Sequence, residues 1–108
     1  MTYNYNVIIL ECIRVIFEWN EFKSQRNLRK HGVSFNEAVT VFLDELGRLM
    51  PDPDHSEGEE RFILMGASAK SNLLLVCYCE REPDVIRLIS ARKANRFERK
   101  QYEEHSHA

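Results

Sequence analysis

The chain has 108 residues, of which 44% are apolar and 30% charged, and this composition excludes disordered and fibrous classes. Its length predicts one domain, residues 1–108, with a single hydrophobic core. The uninterrupted apolar runs are strand-sized, well short of the roughly 18 residues of a membrane helix, so we predict no membrane partner. The three cysteines form no even disulfide framework and are interpreted as buried thiols of a cytoplasmic protein.

The formal net charge of −2 conceals a segregation of charge along the chain. Residues 20–31 carry a surplus of three positive charges and residues 92–100 a surplus of four. Residues 44–60 hold seven carboxylates against one arginine. Basic segments of this kind attract a polyanion, so nucleic-acid binding stays open despite the slightly negative total.

The N-terminal third predicts a strand and a first helix. Residues 11–19 alternate in polarity as a half-buried strand does, and residues 1–10 either extend it or form a loosely attached arm. Asn20 is predicted to cap the following helix, which ends at a left-handed Gly32. The predicted anchors of this helix are its two apolar residues, Phe22 and Leu28.

A second helix is predicted to begin immediately after the first. Ser34 and Glu37 have the spacing of a capping box. An apolar stripe follows at helical spacing and ends near Leu43. Its members are Phe35, Ala38, Val39 and Phe42.

The C-terminal half predicts an antiparallel meander of three or four strands and a terminal helix. Strand patterns cover a short segment after Gly47 and three longer segments between residues 61 and 91, separated by polar turns. Asn95 and Glu98 are a possible capping pair of the last helix, which Phe97 and Tyr102 are predicted to hold in place. The fold class is therefore α+β, in the order β-α-α-β-β-β-α.

The acidic loop, residues 51–60, is the first candidate for a metal site. It opens like a calcium-binding loop, with oxygen ligands at Asp52, Asp54 and Ser56. However, Glu57 stands where that loop needs glycine, and Ile63 where it needs a bidentate glutamate. His55 lacks a second ligand cluster for zinc. We therefore predict no metal site and no cofactor.

The arginines near the C-terminus form a second candidate group. If the last helix begins near Ala91, then Arg92, Arg96 and Arg99 share one of its faces, and Tyr102 lies one turn further. This face is either a solvated surface with weak ion pairs or a clamp for a phosphodiester. Both interpretations remain open on the residues alone.

His31 and Lys30 raise the same choice at the end of the first helix. They either offset the dipole of the helix end or take part in chemistry. Histidine side chains ordinarily titrate near neutral pH and can transfer protons. RNA cleavage without a metal needs a base for the 2′-hydroxyl, cations for the phosphorane and an acid for the leaving oxygen. Histidine, arginine and tyrosine together can supply these groups.

Three segments carry a family resemblance: FEWNEFKSQRNLRKHGVSFNEAVTVF, DPDHSEGEERFILMG and IRLISARKANRFERKQYEE. They resemble the BrnT family, the ribonuclease toxins of bacterial type II toxin–antitoxin modules. The resemblance runs from about Phe17 to Glu104 in the family's order and spacing. Residues 1–14 are accordingly interpreted as an N-terminal extension and residues 105–108 as a frayed tail.

The resemblance implies a fold, an activity and a partner. The fold would be RelE-like, with a small twisted antiparallel sheet flanked by helices. The activity would be metal-independent cleavage of RNA that inhibits growth. The partner would be a BrnA-like ribbon-helix-helix antitoxin, through which alone the complex contacts operator DNA.

The resemblance also favours site roles for the cationic residues. His31 would transfer protons, Arg92 and Arg99 would contact the scissile phosphate, and Tyr102 would donate a second proton or stack on a base. The residues expected to position the RNA are Lys23, Arg26, Lys30, Arg61 and Arg96. Two alternatives remain: a catalytically weak or inactive relative that binds antitoxin in operon autoregulation, and a plain nucleic-acid-binding domain.

Overall fold

The structure is a computed structural model that describes residues 5–10, 14–52 and 60–106. Its elements in chain order are β1 (Tyr5–Leu10), β2 (Val15–Asn20), α1 (Glu21–His31), α2 (Phe35–Thr40), a 3-10 turn (Val41–Leu43), β3 (Arg48–Pro51), β4 (Phe62–Ala67), β5 (Leu73–Glu82), β6 (Val85–Lys93) and α3 (Arg96–Ser106). This order confirms the predicted α+β class; the RelE-like relationship stays a prediction. Among the described residues, no helix is long and apolar enough to cross a bilayer.

Six strands form one sheet in the order β1-β2-β6-β5-β4-β3. Strands β3 to β6 form the predicted antiparallel meander. Strand β2, however, pairs in parallel with the start of β6, so the sheet is mixed rather than wholly antiparallel. Polarity patterns do not reveal strand direction, and the long segment between β2 and β6 permits a parallel pair. Strand β1 pairs antiparallel with β2, so residues 5–10 extend the sheet at its edge.

The helices cover both faces of this sheet. Successive side chains of β5 point to opposite faces, so Leu74 and Val76 join one apolar cluster while Leu73 and Leu75 join another. The first and larger cluster is formed with α2 and the 3-10 turn, and the aromatic ring of Phe42 contacts those of neighbouring residues within it. The second cluster includes Tyr102 of α3. Helices α2 and α3 therefore pack on opposite faces.

The predicted apolar anchors of α1 are wrong. Phe22 is 82% exposed and Leu28 is 44% exposed, whereas the residue that α1 buries is Asn27, at 6%. The cap predictions at both ends are confirmed. Asn20 accepts hydrogen bonds from the first turn, and Gly32 adopts the left-handed conformation with φ of 70°.

The start of α2 matches the prediction in part. The Ser34 hydroxyl accepts a hydrogen bond from the Glu37 backbone N–H at 3.1 Å, as a capping box requires. The Glu37 carboxylate does not return this bond to the cap. It accepts hydrogen bonds from Ser68 and Asn72 at 2.7 and 2.8 Å instead, because the buried Ser68 hydroxyl and the half-buried Asn72 amide on the turn after β4 need a partner.

The last helix begins later than the arginine pattern required. Residues 91–93 belong to β6, so Arg92 does not share a helical face with Arg96 and Arg99, and that prediction is wrong. The capping pair itself is confirmed: Asn95 Oδ1 accepts from the Glu98 N–H at 2.8 Å, and Glu98 Oε1 accepts from the Asn95 N–H at 2.9 Å. This local exchange sets the helix start.

Two further predictions concern α3. Phe97 is 68% exposed and does not hold the helix, whereas Tyr102 packs on the second cluster as predicted. The helix continues to Ser106, two residues into the predicted tail. The calcium-loop comparison falls on residues 53–59 for the most part, which lie outside the described residues.

Candidate nucleic-acid interface

A pocket of about 210 Å³ lies where α1 meets β6. It is lined by Lys23, Arg26, Asn27, Lys30, His31, Ile89 and Ser90. Four of these residues were predicted as site residues, and all four come from α1. The structure therefore brings the predicted α1 group together in one depression.

The buried amide of Asn27 places this group. Along β6, the pairing with β2 covers the first three residues of β6. Helix α1 lies beside the later residues of β6. The Ala91 N–H donates to Asn27 Oδ1 at 3.0 Å, and Asn27 Nδ2 donates to the carbonyl oxygens of Ala91 at 2.8 Å and Val33 at 3.0 Å. The amide thus satisfies both backbone groups of Ala91, as a paired strand would.

These hydrogen bonds fix the rotation of α1 about its own axis. Relative to Asn27, the predicted site residues stand at positions −4, −1, +3 and +4, which surround it on the helix surface. They are Lys23, Arg26, Lys30 and His31. Fixing Asn27 therefore aims all four side chains at the pocket beside β6.

The cationic groups of the pocket have no partner within the described part of the chain. Neither Lys23, Arg26, Lys30 nor His31 forms a hydrogen bond or ion pair there through its side chain. The first-turn amides of α1 are already taken, because Asn20 Oδ1 accepts from Phe22 at 2.8 Å and Lys23 at 3.3 Å. An anion in the pocket would therefore meet side-chain cations rather than the helix end.

Arg92 lies outside the lining of this pocket, two residues beyond Ser90 on β6. Its guanidinium donates two hydrogen bonds to the Glu98 carboxylate, both at 2.8 Å. This contact lowers the pKa of Glu98 and raises that of Arg92 further above its usual range. In this arrangement Arg92 ties the start of α3 to the sheet.

Tyr102 is also engaged away from the pocket. Its hydroxyl donates a hydrogen bond to Asp44 Oδ2 at 2.7 Å. Burial, together with the neighbouring Asp44 carboxylate, raises the pKa of Tyr102 to about 12. The phenol is therefore a reluctant proton donor in this conformation.

The remaining predicted residues lie elsewhere. Arg96 and Arg99 are exposed on α3. Arg61 precedes β4 and lies close enough to Cys77 for its charge to affect the pKa of that thiol. Burial and the neighbouring Asp52 raise the pKa of Cys77 to about 12. The structure thus gathers four of the nine predicted site residues and leaves five outside the pocket: Arg61, Arg92, Arg96, Arg99 and Tyr102.

Three pocket residues had no predicted role: Asn27, Ile89 and Ser90. All three fall within the segments that carry the family resemblance, and this was the signal available for them. Asn27 was overlooked because a polar residue among exposed cations is ordinarily assigned to the solvent side of a helix. Ser90 was overlooked because a strand serine carries no motif of its own.

Comparison with known proteins agrees with this architecture. The family model described as "Ribonuclease toxin, BrnT, of type II toxin-antitoxin system" matches residues 19–98, which include α1 and β6. The crystal structure of the Brucella abortus ribonuclease toxin BrnT is similar with a TM-score of 0.57 and 24% identity, covering 72% of this chain and 94% of that one. No match was found among curated proteins. The family match spans most of the chain and confirms the resemblance: the protein belongs to the BrnT family of ribonuclease toxins of type II toxin–antitoxin systems.

Proposed function

We propose that this chain is an endoribonuclease that cleaves RNA in the pocket between α1 and β6 without a metal ion. One observation carries the proposal: three cations without described partners and one imidazole line a single depression. A phosphodiester supplies the negative charge that these groups lack. The RNA 2′-hydroxyl supplies the nucleophile, so the protein needs only to orient the phosphate and move protons.

The pocket residues divide into two roles. His31 accepts the proton of the 2′-hydroxyl as the 2′-oxygen bonds to phosphorus, or returns a proton to the 5′-oxygen as its bond to phosphorus breaks. Lys23, Arg26 and Lys30 hold the backbone and stabilise the charge of the phosphorane, the part that a metal would otherwise take. Asn27 positions these groups and does not touch the substrate.

The residues outside the pocket have supporting roles in this proposal. Arg92 would contact the scissile phosphate only after it releases the Glu98 carboxylate. Its position two residues from Ser90, which lines the pocket, permits this change of partner. Arg61, Arg96 and Arg99 would contact the RNA backbone, with Arg99 close to the cleaved bond. Tyr102 would stack on a base or donate a proton after its hydrogen bond to Asp44 is broken.

We further propose that a BrnA-like ribbon-helix-helix antitoxin neutralises this activity and makes the operator contacts of the complex. The family implies an antitoxin partner. Co-expression with the product of the neighbouring gene, followed by size-exclusion chromatography, tests this. A stable complex that lacks RNA cleavage is expected.

His31→Ala tests the catalytic assignment. Cleavage of single-stranded RNA by the purified protein, with chelator present, is expected to fall by about 100-fold or more, a loss typical of removing general acid–base catalysis. Growth arrest on expression should be relieved. Arg29→Ala is the matched control, because Arg29 lies in the same last turn of α1 and does not line the pocket.

Each part of this proposal can fail separately. Unchanged cleavage by His31→Ala would remove the imidazole from the mechanism, and loss of wild-type cleavage on adding chelator would remove metal independence. A wild-type chain that forms the antitoxin complex but cuts no RNA would favour the second candidate, an inactive relative in operon autoregulation. The engagement of Arg92 by Glu98 and of Tyr102 by Asp44 is the observation that favours that candidate.

A further inference from the structure

Phe22 is an exposed aromatic residue of α1 that belongs to neither apolar cluster of the described residues. It lies in the first turn of α1 with 82% of its surface exposed, although its large ring is apolar. The cap at this turn uses its backbone N–H and not its side chain. Singly exposed apolar side chains are common on protein surfaces, so the exposure of Phe22 matters here because of the cations that lie beside it.

Phe22 does not line the pocket, but helical geometry places it next to residues that do. Arg26 follows Phe22 by one helical turn, and Arg26 and Lys30 lie about 40° and 80° from it around the helix axis. Lys23 is the next residue in the chain. The exposed ring therefore stands at the edge of the cationic row that lines the pocket.

We propose that Phe22 is a stacking platform for a nucleobase of single-stranded RNA whose adjacent phosphate lies in the pocket. This inference rests on the proposed function. Single-stranded nucleic acid has a negatively charged backbone and flat aromatic bases. It therefore complements an aromatic ring beside cations that have no partner among the described residues. A base can stack on the ring only when it has left its own stack, so the platform selects unpaired over duplex RNA.

Binding to a non-cleavable probe tests the platform directly. The probe is a fluorescein-labelled 2′-O-methyl RNA about ten nucleotides long, which lacks the nucleophile and stays intact. Phe22→Ala is expected to raise Kd in fluorescence anisotropy by about tenfold, the loss typical of one stacked base. Phe22→Trp should retain the affinity of the wild type.

The chain offers a matched control. Phe97 is also exposed, at 68%, but lies on α3 and does not line the pocket. Phe97→Ala should raise Kd by clearly less than Phe22→Ala does, because Phe22 is next to the pocket cations and Phe97 is not. Circular dichroism should show intact folding for Phe22→Ala and Phe97→Ala alike, because neither ring is buried.

An abasic scan of the same probe separates stacking from a general loss of contact. Removing one base at a time should weaken wild-type binding most at a single position. Phe22→Ala should be insensitive to the abasic site at that position, because the ring and the base act as a pair. Equal sensitivity of both proteins at every position would overturn the inference.

The outcomes distinguish the inference from the proposed function. If the wild type binds no RNA, both fall. If the wild type binds and Phe22→Ala binds equally well, only the platform is wrong. If Phe22→Ala weakens the complex with a co-expressed antitoxin and leaves the RNA Kd unchanged, Phe22 is a protein contact and the inference is likewise wrong.

Discussion

At the scale of single residues, Asn27 determines the geometry of the candidate site. It joins α1 to the backbone of Ala91 and Val33 through three hydrogen bonds in a buried setting. Buried polar groups that lose their partner cost more than the hydrogen bond itself contributes. The same residue therefore stabilises the fold and aims the pocket cations.

Asn27→Ala is expected to lower the free energy of unfolding by about 2–3 kcal/mol, because backbone groups of Ala91 and Val33 lose their partner. Urea denaturation measures this. Gln25→Ala is the control, since Gln25 is exposed in the same helix and its side chain donates a hydrogen bond to Glu21 on the helix surface. Similar midpoints for the two variants would show that solvent replaces the amide without cost.

The residue scale is also where sequence reasoning failed most clearly. Phe22 and Leu28 were assigned to the core because they are the apolar residues of α1, yet both are exposed. The side of a helix that faces the sheet depends on what the sheet presents. Here the edge of β6 presents backbone N–H and C=O groups, and an amide satisfies them where an apolar side chain cannot.

At the scale of elements, α3 is held by polar contacts at both ends of its packed face. Near the start of α3, Glu98 accepts hydrogen bonds from Arg92. About one turn before the end of α3, Tyr102 donates a hydrogen bond to Asp44. Burial alone would raise the pKa of Asp44, but hydrogen bonds from Ala67, Tyr102 and Leu46 lower it below its ordinary value. The Tyr102–Asp44 hydrogen bond thus joins α3 to the turn before β3, and the Arg92–Glu98 contact joins α3 to β6.

Tyr102→Phe should destabilise the protein by about 1 kcal/mol at neutral pH, because the hydrogen bond to Asp44 is lost. The folded protein holds the Tyr102 proton with a pKa of about 12, above the ordinary value of about 10. The stabilisation is therefore complete below pH 10 and is lost as the pH rises towards 12. Denaturation at several pH values should show the wild-type advantage shrinking over this range, and a constant difference would contradict the assignment.

Element boundaries were predictable wherever a local signal marks them. The caps at Asn20, Ser34 and Asn95 and the left-handed Gly32 depend on residues at most four positions apart, and each was predicted correctly. The spacing of the arginines predicted that α3 begins near Ala91, which is too early, because helical periodicity was extended to residues before the cap at Asn95. A capping signal should therefore take precedence over helical spacing.

At the scale of the whole molecule, the segregation of charge determines how a polyanion can bind. The total charge is −2, yet the pocket presents Lys23, Arg26 and Lys30 without described partners. Nearby fixed charges influence an RNA strand more than the sum over the chain does, since salt screens distant charges. A slightly acidic protein can therefore bind RNA electrostatically.

The three pocket cations by themselves predict a slope of about −2 for log K against log salt with single-stranded RNA, and each contact made by Arg61, Arg92, Arg96 or Arg99 would add about −0.7. Lys30→Ala should reduce the magnitude of this slope by about 0.7. Arg29→Ala should leave it unchanged, because Arg29 does not line the pocket. Anisotropy titrations of the non-cleavable probe at several salt concentrations measure the slope, and a slope near zero would exclude phosphate contacts by these residues.

The α+β class, the strands of the meander, the helix caps and the family can be predicted from the amino-acid sequence, because they depend on neighbouring residues or on motifs that occur in a given order. The parallel pairing of β2 with β6, the burial of Asn27 and the contact of Arg92 with Glu98 become visible only in three dimensions. Asn27 and Ala91 are 64 positions apart, and their contact exists only after the sheet has formed. The pocket follows from that contact, since the side of α1 that faces β6 is chosen by the partner it meets.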